Sequence, residues 1–175
     1  MATKGRLRLN NFNPNDLTFP LKIYQDMGLK IKKISKTSYE FNCKRLKPIK
    51  KISTKEFPGY PTDLQAQLIA TQLKSALKSK VVENIFENRF IHIPELRRFG
   101  ANLSIIGKTV TIHKTSNLFG AEVMATDIRA SFSLIIAAMM SKGTTVINRI
   151  YHLDRGYEDF DLKLKKCGVN ISRKK

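Results

Sequence analysis

Apolar residues recur at helical spacing behind two matching openings in this chain. In the first, Thr62-Asp63-Leu64-Gln65 leads into Leu64, Leu68, Ile69, Leu73, Ala76 and Leu77, which would share one face of a helix. In the second, Thr126-Asp127-Ile128-Arg129 leads into a run that predicts a helix to Met140. Each opening puts a threonine where a helix N-cap belongs and a carboxylate in the first turn, and Gln65 completes a Thr-x-x-Gln capping box. After the first helix the pattern predicts a strand over Val81–Phe86 and a helix from near Pro94 to Gly100. A hairpin follows, with Leu103–Ile105 and Thr109–His113 paired around Gly107-Lys108. After the second helix it predicts a strand over Thr144–Ile150, a loop over Tyr151–Tyr157, a helix to Cys167 and a strand over Val169–Ile171.

The front of the chain reads as the back half of the same plan. Arg6–Leu9 predicts the strand, Leu17–Met27 the second helix, and Leu29–Ile34 with Tyr39–Phe41 the hairpin. Gly28, Gly100 and Gly168 recur at the equivalent handover from helix to strand, where a left-handed residue commonly ends a helix. The fold class is therefore α/β, one incomplete domain over 1–175 built of βαβ-type repeats. A partial repeat spans 1–56, and two more span 57–114 and 115–175. The first lacks its opening helix and the last lacks its hairpin, so strand edges are expected to lie open for another segment to cover.

Composition narrows the class of function. With 175 residues and 42% hydrophobic content, the chain can bury a core. Its longest apolar stretch, Leu134–Met140, is far shorter than the roughly 20 residues a membrane span takes. No signal-peptide pattern opens the chain, and with Cys43 and Cys167 its only cysteines no disulfide framework is indicated; the expected setting is the cytoplasm. The net charge of +18 fits a nucleic-acid binder, but the lysines are scattered without interleaved aromatic residues, so no specific nucleic-acid partner is expected.

The candidate chemistry gathers at the repeated positions. Asp63, at a helix start, would stay ionised and could accept a proton from a substrate hydroxyl; stabilising the helix dipole explains it equally well. Arg89 and Arg155 follow the strand in their respective units, where a guanidinium suits capture of carboxylate or phosphate. Arg129 is a cation near a helix N-terminus, a conflict that an anion bound nearby would resolve. Cys167 aligns with Met27 and Phe99 and is expected in the core, whereas Cys43 has only nearby lysines to activate it. His92, His113 and His152 show no ligand spacing, no glycine-rich phosphate loop occurs, and neither metal nor cofactor is expected.

Four segments in order carry a resemblance: Tyr60–Gln67, Glu83–Leu96, Val123–Ser131 and Arg149–Glu158. They resemble the C-terminal part of the UDP-N-acetylglucosamine 1-carboxyvinyltransferases, in the enolpyruvyl transferase family. The resemblance implies the family's inside-out α/β barrel domain, made of three repeats. It also implies transfer of the enolpyruvyl group from phosphoenolpyruvate to the 3′-hydroxyl of UDP-N-acetylglucosamine, the first committed step of peptidoglycan synthesis. By this likeness Asp63 matches the base on that hydroxyl and Arg155 an arginine holding phosphoenolpyruvate. Arg89, Asp127 and Arg129 match cleft residues, and Ile85 a contact to the sugar nucleotide. The family's other active-site wall has no counterpart in this sequence, which implies a fragment inactive alone, with a separately encoded N-terminal half as an expected partner. A shikimate-pathway 3-phosphoshikimate 1-carboxyvinyltransferase fragment, or a noncatalytic basic anion- or RNA-binding derivative, are the alternatives.

Overall fold

The computed structural model describes residues 1–75 and 77–174. In the first unit, strand β1 (Arg6–Leu9) is followed by a 3-10 turn and helix α1 (Thr18–Asp26). The hairpin β2 (Lys30–Lys33) and β3 (Tyr39–Asn42) completes the unit, and β3 lies between β1 and β2, antiparallel to both. The second unit has β4 (Ile52–Ser53), a 3-10 turn at Thr62–Leu64, α2 (Gln65–Gln72), β5 (Ser79–Val82), α3 (His92–Arg98), β6 (Leu103–Ile106) and β7 (Thr109–Ile112). Its sheet runs β4-β5-β7-β6, with β4 parallel to β5 and the rest antiparallel. The third has β8 (Glu122–Met124), α4 (Ile128–Met140), β9 (Val146–Asn148), α5 (Tyr151–Asp154) and α6 (Phe160–Lys166), with β8 parallel to β9.

These pairings make β1, β5 and β9 equivalent. In the second unit β5 is flanked on both sides, by a parallel strand and by a hairpin strand. Among the described residues β1 pairs only on the hairpin side and β9 only on the parallel side. Pairing also groups β4, which the pattern did not predict, with the second unit, ahead of position 57.

The core explains why the helices stop and face as they do. Leu68 and Ile69 of α2, with Leu73 at its C-cap, pack with Leu134, Ala137 and Met140 of α4 in one cluster that also takes Met27, Phe99, Ile93 and Leu96. Gly28 and Gly100 end α1 and α3 with φ of 99° and 85°, a region open to glycine at little cost. An added Cβ at Gly28 would meet the Arg45 carbonyl oxygen, which fixes glycine there twice over.

Several expectations change. The strand expected over Val81–Phe86 is shifted to Ser79–Val82, because Glu83 turns inward and its carboxylate takes the amides of Ile85 and Phe86. The Thr144–Ile150 strand is reduced to Val146–Asn148, ended by Arg149 at φ 58°. Helix α5 lies within the expected loop Tyr151–Tyr157, and Val169–Ile171 forms no strand because no return strand pairs with it among the described residues. Cys167 is exposed rather than buried: Met27 and Phe99 are each followed by a hairpin, and this unit has none. Cys43 is buried. Leu77 is exposed, and Ala76 lies outside the described residues.

Candidate active site

The packing of α2 along α4 brings the two helix openings to the same place. They are built differently. In the third unit Asp127, not Thr126, is the N-cap: its Oδ1 accepts the amides of Arg129 and Ala130, each at 2.8 Å, satisfying two donors that open the helix. In the second unit Thr62 makes no cap. Its hydroxyl donates instead to Glu83 Oε2 at 2.9 Å, and Pro61 precedes a 3-10 turn in which Asp63 is the middle residue. The expected capping box is absent because Thr62 is committed elsewhere and the Gln65 side chain points inward, with the residue 2% exposed.

Asp63 is thus released from capping, and its carboxylate forms an ion pair with Arg129 Nε across the two helix openings. Both side chains remain about half exposed, so the pair contributes little to stability. The turn that carries Asp63 is held from below. Tyr60 donates its hydroxyl to the Leu64 carbonyl at 3.2 Å, and the Tyr24 hydroxyl lies 3.2 Å from that of Tyr60. Burial pushes both phenols above their ordinary range.

Glu83 is the residue that joins this turn to the loop beyond β5. At 2% exposure its carboxylate accepts from the Thr54 hydroxyl (2.8 Å), the Thr62 hydroxyl (2.9 Å) and the amides of Ile85 (2.8 Å) and Phe86 (3.2 Å). Four donors compensate a buried carboxylate that has no cation beside it. Ile85, Phe86 and Arg89 follow on that loop, and the Arg89 guanidinium lies 4.3 Å over the Phe86 ring. Together with Ile105, Gly107 and Lys108 of the β6–β7 hairpin they line an open cleft of about 790 Å³.

A second, narrow hollow of about 10 Å³ lies beside it. It is lined by Thr62, Gln65, Arg89, His92, Asp127 and Arg129, together with Ala66 and Ala130. Arg89 lines both spaces and so links them. His92 is buried, and loss of hydration lowers its pKa to about 4, opposed more weakly by the Asp127 charge and the Arg89 backbone. Its ring is therefore neutral at pH 7.

Of the six residues singled out in the sequence, Asp127, Arg129 and Arg89 meet at the narrow hollow, Asp63 joins them through Arg129, and Ile85 lines the open cleft. Arg155 lines neither. It is exposed at the end of α5, but its neighbours are pinned toward the same helices: a Cβ on Gly156 would meet Ile128 Cγ2 at 2.6 Å. Tyr157 stacks on Phe132 at 4.4 Å between centroids and accepts a hydrogen bond from Gln67 at 3.4 Å. Burial raises the Tyr157 pKa, with Gln67 and Arg129 opposing. Sequence reasoning passed over Glu83, although it stands on the inward register of Ser79 and Val81 where an apolar residue is expected, and that was its signal. It also missed that His92 and Gln65 are buried at the site.

The profile of the EPSP synthase (3-phosphoshikimate 1-carboxyvinyltransferase) family matches residues 1–164, and the chain belongs to this family. Among its relatives, a UDP-N-acetylglucosamine 1-carboxyvinyltransferase of Campylobacter lari is 47% identical over 98% of this chain and 41% of its own length. One from Rhodopseudomonas palustris is 56% identical over 70% of this chain and 28% of its own. The chain therefore spans about two fifths of the length of the curated relatives that it matches across nearly its whole extent. In fold it is similar to the enolpyruvyl transferase NikO from Streptomyces tendae, with a TM-score of 0.85 and 23% identity over 95% of this chain and 40% of that one. EPSP synthase from Acinetobacter baumannii gives a TM-score of 0.71 at 14% identity, over 98% of this chain and 41% of that one. No helix among the described residues is long and apolar enough to cross a membrane.

Proposed function

We propose that this chain forms one wall of the active site of a UDP-N-acetylglucosamine 1-carboxyvinyltransferase. The whole enzyme would transfer the enolpyruvyl group of phosphoenolpyruvate to the 3′-hydroxyl of UDP-N-acetylglucosamine in the cytoplasm, opening peptidoglycan synthesis. The incomplete domain of three repeats, over 1–56, 57–114 and 115–175, would act with the remainder of the relatives' length, supplied by an N-terminal portion. Relatives bearing this name at 44–47% identity over nearly the whole chain favour this acceptor over shikimate 3-phosphate. The observation that carries the reading is the meeting of Asp63, Arg129, Asp127 and Arg89 at the paired openings of α2 and α4.

The chemistry needs a base for the attacking hydroxyl and cations for a carboxylate and a phosphate. Asp63 is the base in this reading. Its carboxylate must leave Arg129 to do so, and an incoming substrate anion is the natural competitor for that guanidinium. Arg89 and Arg129 would then face the anion, and Asp127 would hold the Arg129 backbone through its cap. Ile85 would contact the sugar nucleotide along the open cleft, and Arg155 would reach phosphoenolpyruvate from the end of α5.

A covalent chimera, in which this chain replaces the matching 41% of the Campylobacter lari relative, tests the base. Asp63→Ala in that chimera is expected to lower kcat by about 10²–10⁴-fold with the fold retained. Turnover at the unsubstituted level would remove Asp63 from the role.

A further inference from the structure

Arg155 stands on a short loop whose two ends are tied together by a residue of the C-terminal segment. Helix α5 is a single turn of four residues, too short to hold itself in place. The chain then runs through 155–159 and enters α6 from Asp159, whose φ of 46° is uncommon for a residue with a side chain. Asp154 closes α5, and Asp161 lies in the first turn of α6. Arg173 takes both. Its Nη1 and Nη2 donate to the two Asp154 oxygens at 3.0 and 2.6 Å, and Nη2 also donates to Asp161 Oδ1 at 2.9 Å. The guanidinium lies 5.3 Å from the Phe160 ring, which packs with Leu153 and Ile135 in a small core.

Single exposed ion pairs contribute little, but one planar guanidinium that is bidentate to one carboxylate and shared with a second fixes the spacing of its partners. Its hydrogen bonds hold both carboxyls below their ordinary range, against the repulsion that Asp161 exerts on Asp154. The second unit repeats the placement without the charge. Ile105, the fifth residue beyond Gly100 as Arg173 is beyond Gly168, lines the open cleft with Arg89, the counterpart of Arg155. No ion pair among the described residues takes the Arg155 side chain itself. We propose that Arg173 is a positioning residue: by clasping Asp154 and Asp161 it fixes the 155–159 loop, and so the place from which the Arg155 guanidinium meets its anion. The inference rests on the proposed function for the identity of that anion, phosphoenolpyruvate. The clasp orders the backbone beneath Arg155 while leaving its guanidinium uncommitted.

The test follows the 175-residue chain labelled with ¹⁵N by NMR relaxation. Backbone order parameters over 155–159 are expected at about 0.85 in the unsubstituted chain and below about 0.6 in Arg173→Gln. The signals of Leu153 and Ile135 should stay in place, which shows that the core beneath persists. Lys163→Ala, which breaks the exposed pair with Glu158 on the same loop, should leave the order unchanged. In the Campylobacter lari chimera, Arg173→Gln should raise KM for phosphoenolpyruvate about tenfold, with kcat and KM for UDP-N-acetylglucosamine within about threefold. Arg173→Lys, which keeps the charge, should recover most of that loss. A loop as ordered in Arg173→Gln as before, equal loosening by Lys163→Ala, an unchanged KM for phosphoenolpyruvate, or both KM values rising together would overturn the proposal. A chimera inactive without any substitution would defeat the transferase reading, and the order parameters would still decide the clasp.

Discussion

Glu83 shows how one buried side chain can organise the surroundings of a site. Its carboxylate joins Thr54 just after β4, Thr62 beside Asp63, and the amides that start the Ile85–Arg89 loop. Glu83→Ala strands four donors, one buried and three part-buried, and is expected to cost about 2–4 kcal/mol in urea unfolding, more than Asp63→Ala, which removes a half-exposed carboxylate. Equal effects of the two substitutions would contradict the hub. His92 sets a pH dependence of its own. Unfolded, it takes up a proton near pH 6.5; folded, it resists until about pH 4. The unfolded state therefore binds more protons in that window, and stability should fall as pH drops from 6.5 toward 4, by about 3 kcal/mol at most. His92→Gln should flatten that segment of the stability curve, and an unchanged slope would place the histidine in water. That Asp63 and Arg129 stand at helix openings could be read from residue type and apolar spacing. Glu83 left a trace in the inward register of β5, whereas the burial of His92 left none, because burial is a property of packing.

At the scale of elements, the repeated helices were readable from apolar spacing, and the glycines at 28 and 100 marked their ends correctly. The shared Thr-Asp opening was misleading as a capping signal. Local sequence cannot show that a buried glutamate 21 positions away claims the Thr62 hydroxyl, so that a 3-10 turn precedes α2 while Asp127 caps α4. The short strands were misjudged in length for the same reason: tertiary partners, not propensity, end them. Gly156, just beyond α5, lies close against Ile128 at the start of α4. Gly156→Ala should destabilise the chain by about 1–3 kcal/mol in thermal or urea unfolding, because Ile128 must move to admit the methyl group. It should also shift the NMR signals of Tyr157 and Phe132, whose stacking depends on that approach. A neutral substitution would mean that the end of α5 is not held against α4.

At the scale of the whole molecule, the three units differ in what surrounds their equivalent strands. β5 is flanked on both sides, while β1 and β9 each leave one edge open, and Leu7 and Leu9 on β1 are exposed. Amides of β5 should exchange with solvent at least about tenfold more slowly than those of β1 and β9, measured by hydrogen exchange on the free chain. Comparable protection would mean that the open edges are covered by association between copies. The order of helix, strand, helix and hairpin in the second unit was readable in the sequence. The pairing of β4 with β5 was not, because a strand of two residues has no periodicity to detect.

The central claim is that this chain carries the acceptor-activating wall of a UDP-N-acetylglucosamine 1-carboxyvinyltransferase. Phosphate release from phosphoenolpyruvate by the Campylobacter lari chimera, measured with UDP-N-acetylglucosamine and separately with shikimate 3-phosphate, tests it most directly. The account predicts turnover with the sugar nucleotide, none with shikimate 3-phosphate, and none from the 175-residue chain alone. A folded chimera that is silent with UDP-N-acetylglucosamine, or that prefers shikimate 3-phosphate, would contradict it.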